Sequence, residues 1–276
     1  MSMWRPEDMV TVTLKPTKVP ELMLEGYSIT PDAFAGKTPA QIAALPAHEG
    51  KIHVTLGDFF EVTGESGATA ADTNIVIAGD CTRVKYIGSK MTAGTVTLNG
   101  NADMYVGGWM KGGKIHVKGN VDSFCGIQME GGELVVDGDA KNHVGCAYRG
   151  DWRGMKGGTI RIKGSAGNDI GTFMRGGTII IEKDAFIHVS THAEGGTVII
   201  KGDVEGRVGG QMVKGDMYVL GKIRFMMPGY KKVDTVEKEV DGVRATFDHY
   251  IGDLGERHGK SKGQVVYANL YLKASA

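Results

Sequence analysis

Two imidazoles and a carboxylate, His143, Asp169 and His188, are the side chains best suited to chemistry in this chain, because they fall at one phase of a repeating pattern. Two histidines around an aspartate can ligate a divalent metal or pass a proton. The spacings are 26 and 19 residues, the longer one containing seven inserted residues. Tyr105 and Phe124 precede the trio at the same phase, Arg207 follows it, and His192 stands four positions beyond His188. The trio is thus a candidate metal site, and a solvent-facing hydrogen-bonded row is the plainer reading, since the aromatic and guanidinium flanks have the chemistry of a contact stripe. Other chemistries lack their residues. The glycine-rich stretches carry no P-loop lysine, and the paired Gly and Asp of calcium-binding nine-residue repeats are missing. Cys81, Cys125 and Cys146 have no CxxC spacing and cannot all pair. No catalytic residue and no cofactor site is expected in this chain.

The phase belongs to a nineteen-residue repeat running from Thr95 to Gly215, with a looser copy from Asn74 to Gly94. In each copy the second and fourth positions are apolar (Val96 and Leu98, then Ile115 and Val117), so each copy opens with a strand that has one apolar face. A Val/Ile column that includes Cys125 and a Met column from Met91 to Met212, broken at Ala193, give four inward columns. Cys125 therefore reads as a small core residue. Glycines recur at Gly100, Gly119 and Gly164, at Gly107, Gly126 and Gly171, and at Gly113, Gly132 and Gly177, marking corners where the backbone needs positive φ or close approach. The expectation is an all-β fold, a parallel β-helix or solenoid of about seven coils, with successive coils about 4.8 Å apart. Right-handed winding follows the usual hand of parallel crossovers.

The flanks read as caps, giving an N-terminal cap at 1–73, the repeats at 74–216 and a C-terminal cap at 217–276. Val10 to Leu14 alternates as a strand. Thr30-Pro31 and Thr38-Pro39 each pair an N-cap with a first-turn proline, which predicts two short helices, and a helix here can cover the first strand edge. After Gly215 the period fails at Met217 to Pro228. Asp241-Gly242 then sits between two alternating runs as a hairpin turn, and Val265 to Leu272 reads as a last strand.

Two surface features suit a protein partner. The insertion at 148–154 must project as a loop, and Tyr148, Arg149, Trp152 and Arg153 are of types enriched at interface hot spots. The outward third position turns from Thr97 and His116 to Ile180 and Ile199, which suggests cover by another surface. Charge excludes other partners: 32 basic and 32 acidic residues leave no footprint for nucleic acid or an anionic membrane. The opening MSMWRPEDMV lacks signal-peptide regions and no apolar run is long enough to span a bilayer, so a cytoplasmic location is expected.

Copies such as Gly119-Asn-Val-Asp-Ser-Phe-Cys-Gly126-Ile-Gln-Met129-Glu-Gly-Gly132 resemble the GXGXG β-helix shared by the glutamate synthase C-terminal domain and the C subunit of formylmethanofuran dehydrogenase. Ile29-Thr-Pro-Asp-Ala-Phe-Ala-Gly36-Lys-Thr-Pro39 and Leu56-Gly-Asp-Phe-Phe-Glu-Val-Thr-Gly64 resemble the latter family, and the likeness covers nearly the whole chain. The family has two branches, a tungsten or molybdenum formylmethanofuran dehydrogenase in methanogens and a formyltransferase/hydrolase complex in methylotrophic bacteria. The neutral charge balance points to the bacterial one. The resemblance implies a gamma-type scaffold subunit, the C subunit of a hetero-oligomer working in one-carbon metabolism and formaldehyde oxidation. Its partners would be an amidohydrolase-like A subunit holding zinc, a formyltransferase D subunit, and a B subunit. Together they pass formyl from formyl-tetrahydromethanopterin to a methanofuran-type carrier and release formate. Three other readings stay open: the equivalent component of the dehydrogenase, a stand-alone solenoid enzyme or binding protein, and a glutamate synthase-like piece.

Overall fold

The structure, a computed structural model, describes residues 9–257 and 265–274; the reading of the opening stretch falls mostly on residues 1–8, outside these. In chain order the first segment holds β1 (Val10–Pro16), β2 (Leu24–Glu25), α1 (Pro31–Phe34), α2 (Pro39–Ala43), β3 (Pro46–Glu49), β4 (Ile52–Thr55) and β5 (Phe60–Gly64). Next come β6 (Thr73–Ile77), β7 (Val84–Lys85), β8 (Thr95–Leu98), β9 (Lys114–Val117), β10 (Glu133–Val136) and β11 (Thr159–Ile162). They are followed by β12 (Arg175–Ile181), β13 (Ala185–Val189), β14 (Glu194–Ile200), β15 (Val204–Val208), β16 (Lys214–Val219) and β17 (Ile223–Phe225). The chain ends with β18 (Lys231–Val240), β19 (Val243–Arg257) and β20 (Val265–Lys273).

The fold is nearly all-β. Its spine is a 13-stranded sheet in which β6, β8, β9, β10, β11, β12, β14 and β16 pair in parallel, each a rung above the last. The register sets Val96 beside Ile115 and Ile115 beside Leu134, so like positions of successive repeats form ladders. Strict alternation produces this: β10 and β11 both bury their second and fourth residues.

The core holds one more column than the sequence pattern revealed. Cys81, Ala102, Val121, Ala140, Ala166 and Ala185 join successive rungs by parallel bridges and are all buried, and the column continues as Val204 and Ile223. Alanine is too weakly apolar to announce a column. Beside it runs a polar ladder in which Asn101 Oδ1 accepts from the Asn120 N–H and Asn120 Oδ1 from the Asp139 N–H, at 2.8 and 2.7 Å. The glycines divide by cause. Gly107, Gly126 and Gly171 have φ of +62 to +64°, and Gly113, Gly132 and Gly177 have +81 to +87°. Gly100, Gly119 and Gly164 sit where a Cβ would come within 2.6 Å of the preceding rung's backbone or side chains.

Both helices form with their threonine N-caps, and Thr38 with Gln41 makes a capping box. The first rung's edge is not covered by a helix: β1 pairs in parallel with β6, and β5 continues antiparallel on β1. Nor does the pairing stop at Gly215. β16 stays in register with β14, and β17 with β15, so the expected break at Met217 falls inside a strand, and the repeat ends beyond Phe225. The hairpin β18–β19 turns at Asp241-Gly242 with φ of 47 and 76°, as a two-residue type I′ turn requires.

That hairpin corrects the reading of Ile180 and Ile199 as a partner surface. They are 4 and 5 % exposed, covered by the chain's own Val240 and Phe247 in a cluster with Tyr218 and Tyr271. The third position turned apolar because β18 and β19 curl back over the outer face of β12, β14 and β16. The turn is pinned to that face by Arg161 and Lys201, whose side chains reach Asp241 at 2.7 Å and also pair with Glu182.

Candidate functional site

The phase of the histidine trio is an outward ladder built on left-handed backbone. Tyr105, Phe124, His143, Asp169, His188 and Arg207 have φ between +52 and +67°, and Tyr86, one rung earlier, has +65°. This conformation costs a non-glycine residue about 1–2 kcal/mol. It throws each side chain out of the turn and onto its neighbour in the next rung. Ring centroids lie 4.7 Å apart from Tyr86 to Tyr105, 5.0 Å from Tyr105 to Phe124 and 4.6 Å from Phe124 to His143, with planes within 13° of parallel. Stacks of this kind contribute roughly 0.5–1.5 kcal/mol each, an offset to the strain.

Beyond His143 the ladder becomes ionic. His143 Nδ1 is 3.8 Å and His188 Nδ1 3.6 Å from the Asp169 carboxylate, while Arg207 Nη1 is 3.2 Å from His188 Nε2. A guanidinium only donates, so Nε2 of His188 accepts and the ring proton sits on Nδ1, facing Asp169. Burial pushes the His143 pKa down, opposed by Asp169. Both Nδ1 atoms face one carboxylate from opposite rungs, and among the described residues no group of three or more His, Cys, Asp or Glu is placed to hold a metal ion. His192 belongs elsewhere, its ring stacked on Phe173 at 4.9 Å.

Phe173 and His192 are part of a second outward row, four positions on, that the sequence pattern did not isolate. Lys90, Trp109, Gln128 and Gln211 share it, again with positive φ. Trp109 Nε1 donates to Gln128 Oε1 at 2.8 Å, and Gln128 Nε2 donates to Asp151 and to the Arg153 carbonyl. The inserted residues 148–154 form a loop, as expected, and these bonds seat it on the second row. Arg153 and Asp151 pair at 2.9 Å, which holds the Asp151 carboxyl down at about 2. Tyr148 leans back over the ladders, 6.0 Å from the Trp109 ring, whereas Trp152 is 65 % exposed and Arg149 and Arg153 face solvent.

At the N-terminal end of the first ladder a groove of about 960 Å³ opens between Glu25, Tyr27, Asp32, Tyr86, Lys90 and Trp109. Burial first, then Tyr105 and Glu25, push the Tyr86 hydroxyl up to about 12. The sequence pattern gave no sign of this groove, because its walls come from three separate segments.

No family model matches the chain. It is similar to the C subunit of the tungsten-containing formylmethanofuran dehydrogenase 2 of Methanococcus maripaludis, with 48% identity over 254 residues, 89% of this chain and 92% of that one. The chain belongs to the formylmethanofuran dehydrogenase C-subunit family. Among other members of that family, the C subunit of the molybdenum-containing enzyme 1 of Methanosarcina barkeri is 44% identical over 35% of this chain and 32% of its own length. For the C subunit of the tungsten-containing enzyme 2 of Methanothermobacter thermautotrophicus the figures are 46%, 35% and 36%. Matches to these two relatives thus span about a third of their length. A chain in the crystal structure of the formyltransferase/hydrolase complex from Methylorubrum extorquens, solved with methylofuran, shares the fold, with a TM-score of 0.83 at 23% identity over 95% of this chain and 100% of that one. Among the described residues no helix is long and apolar enough to cross a membrane.

Proposed function

We propose that this chain is the non-catalytic scaffold subunit of a cytoplasmic complex that moves a formyl group between a pterin and a methanofuran-type carrier. The rungs wind, in this reading, as a right-handed parallel β-helix of about seven coils between an N-terminal cap at 1–73 and a C-terminal cap that begins beyond Phe225. Pairing of like positions from one rung to the next and the shared fold support the winding. The observation that carries the role is family membership across 89% of the chain. The outward rows are occupied by ring stacking and by histidine–carboxylate contacts within the chain. A rigid rod suits this task, because a tethered carrier gains effective concentration when two sites are fixed within its reach.

The partners in this reading are an amidohydrolase-like A subunit with zinc, a formyltransferase D subunit, and a B subunit, with the carrier bound among them. The formyltransferase/hydrolase complex is supported by the shared fold. Membership of a tungsten or molybdenum dehydrogenase is the second reading, supported by the 48% identity to the C subunit of one. Purification of this chain from its source with its co-eluting proteins tests both. An amidohydrolase-like and a formyltransferase-like subunit in fixed ratio without redox metals is the result for the hydrolase; tungsten or molybdenum with iron is the result for the dehydrogenase. Elution alone, or full coupled formate release from a complex lacking this chain, overturns the scaffold reading.

A further inference from the structure

The first outward ladder ends differently at its two ends. At one end Arg207 closes it, a guanidinium set against the last imidazole at 3.2 Å. At the other end Tyr86 stacks on Tyr105 on one side only. The register shows why. Glu25 pairs with Lys85, and the Gly26 N–H donates to the Lys85 carbonyl as the Tyr86 N–H donates to Met104, so Gly26 holds the ladder position one rung before Tyr86. A Cβ there would meet Ile29 Cδ1 at 2.9 Å and Val84 Cγ1 at 3.0 Å. The rung before Tyr86 therefore has no side chain to offer, and the 960 Å³ groove lies at that end of the ladder.

The charges around the groove select what completes the ladder. Glu25 is half-buried, its backbone paired with Lys85, and its carboxylate takes part in no hydrogen bond or ion pair among the described residues. Asp32 is already engaged, accepting from the Thr92 N–H at 2.9 Å and from its hydroxyl. Lys90 lines the groove together with Trp109. An unpaired carboxylate next to a tyrosine with one ring neighbour suits a flat cation that stacks on the ring and donates a bidentate pair at once. A guanidinium does both and an ammonium does not. The lining sets two carboxylates, Glu25 and Asp32, against one ammonium, Lys90, so anions are disfavoured.

Building on the scaffold reading, we infer that this groove receives an arginine from a partner subunit of the complex, stacked on Tyr86 and paired with Glu25, as the missing rung of the ladder. Arginine is among the residues that dominate interface energetics when desolvated against an aromatic ring. Tyr27 and the Tyr148 and Trp152 loop then form the rim of the same contact face.

The test uses the whole complex, expressed with this chain as wild type, Glu25→Gln and Glu25→Arg, and separately with a photo-crosslinking phenylalanine analogue at Tyr27. Tyr27 is exposed and bonds only His48 at 2.8 Å, so the fold tolerates the exchange. The expected result is a crosslink from position 27 to one partner subunit, mapping beside an arginine. Glu25→Arg is expected to lower that subunit's retention about tenfold or more and Glu25→Gln by less, with the melting temperature of the isolated chain unchanged. Wild-type subunit ratios in the Glu25→Arg complex, or a crosslink mapping only to this chain or to a segment without arginine, overturn the inference. If wild-type chain captures no partner at all, the scaffold reading itself has failed, an outcome distinct from assembly that ignores Glu25.

Discussion

Asp241→Asn is the sharpest probe of how the C-terminal hairpin is held. Asn-Gly is as good a type I′ turn as Asp-Gly, so the exchange keeps the loop and removes only the charge that Arg161 and Lys201 grip. Hydrogen bonds from Arg161 first, and then from Lys201, hold the Asp241 carboxyl at about 2 against an ordinary 3.8, although burial opposes them. At about 1.36 kcal/mol for each tenfold in acidity, that drop is worth at most about 2.4 kcal/mol. Residual solvent access around the pair reduces it to about 1 kcal/mol. Because the folded pKa lies below the unfolded one, the stabilisation is complete above about pH 4 and disappears as the pH falls through about 2. Hydrogen exchange of the β18–β19 amides is the assay. At pH 6 the variant should open several-fold more readily than wild type, with the gap closing between pH 4 and 2 and shrinking in high salt. Equal protection at pH 6, or a gap that persists undiminished at pH 2, refutes the latch.

Gly126→Ala should destabilise the repeat by more than about 1 kcal/mol, since φ is +62° and the new Cβ would lie 2.3 Å from Ile160 Cδ1; a urea melt measures it, and a neutral result removes the steric argument. Burial pushes the Cys81 and Cys125 thiols up to about 12, so neither forms thiolate at pH 8. Iodoacetamide should label them only in denaturant, and labelling of the native protein would contradict the packing. Trp152→Ala with Arg153→Ala should weaken retention of partner subunits without lowering the melting temperature, because Trp152 is exposed and Arg153 pairs only within the loop; unchanged assembly on size exclusion counts against the loop as a contact.

The repeat, its strands, the capped helices and the I′ hairpin were legible because each is a local rule: alternation, an N-cap before proline, Asp-Gly between strands. What escaped was set by contacts distant in sequence. Ile180 and Ile199 showed that their face was covered, but the cover, Val240 and Phe247, lies 41 to 67 residues further on and carries no mark of its destination. The alanine column and the groove were invisible for related reasons, the first because small residues signal weakly, the second because Tyr27, Tyr86 and Trp109 meet only after folding.

The ladder also explains why the histidine trio looked like a site. In a stack of in-register rungs, any residue type at one phase must meet its counterparts, so clusters arise without selection for a shared ligand. What separates a row from a site is convergence. A site aims several groups at one point, whereas rungs about 4.8 Å apart hold them parallel. Asp169 faces His143 and His188 from between, at 3.8 and 3.6 Å, while Glu25 and Tyr86 lie where the row stops and the parallel constraint ends. In a fold of this kind the groups free to bind something new are those at the last rung, so the open end of the ladder, and not its most reactive-looking middle, is where a partner can add a contact that the chain does not already make to itself.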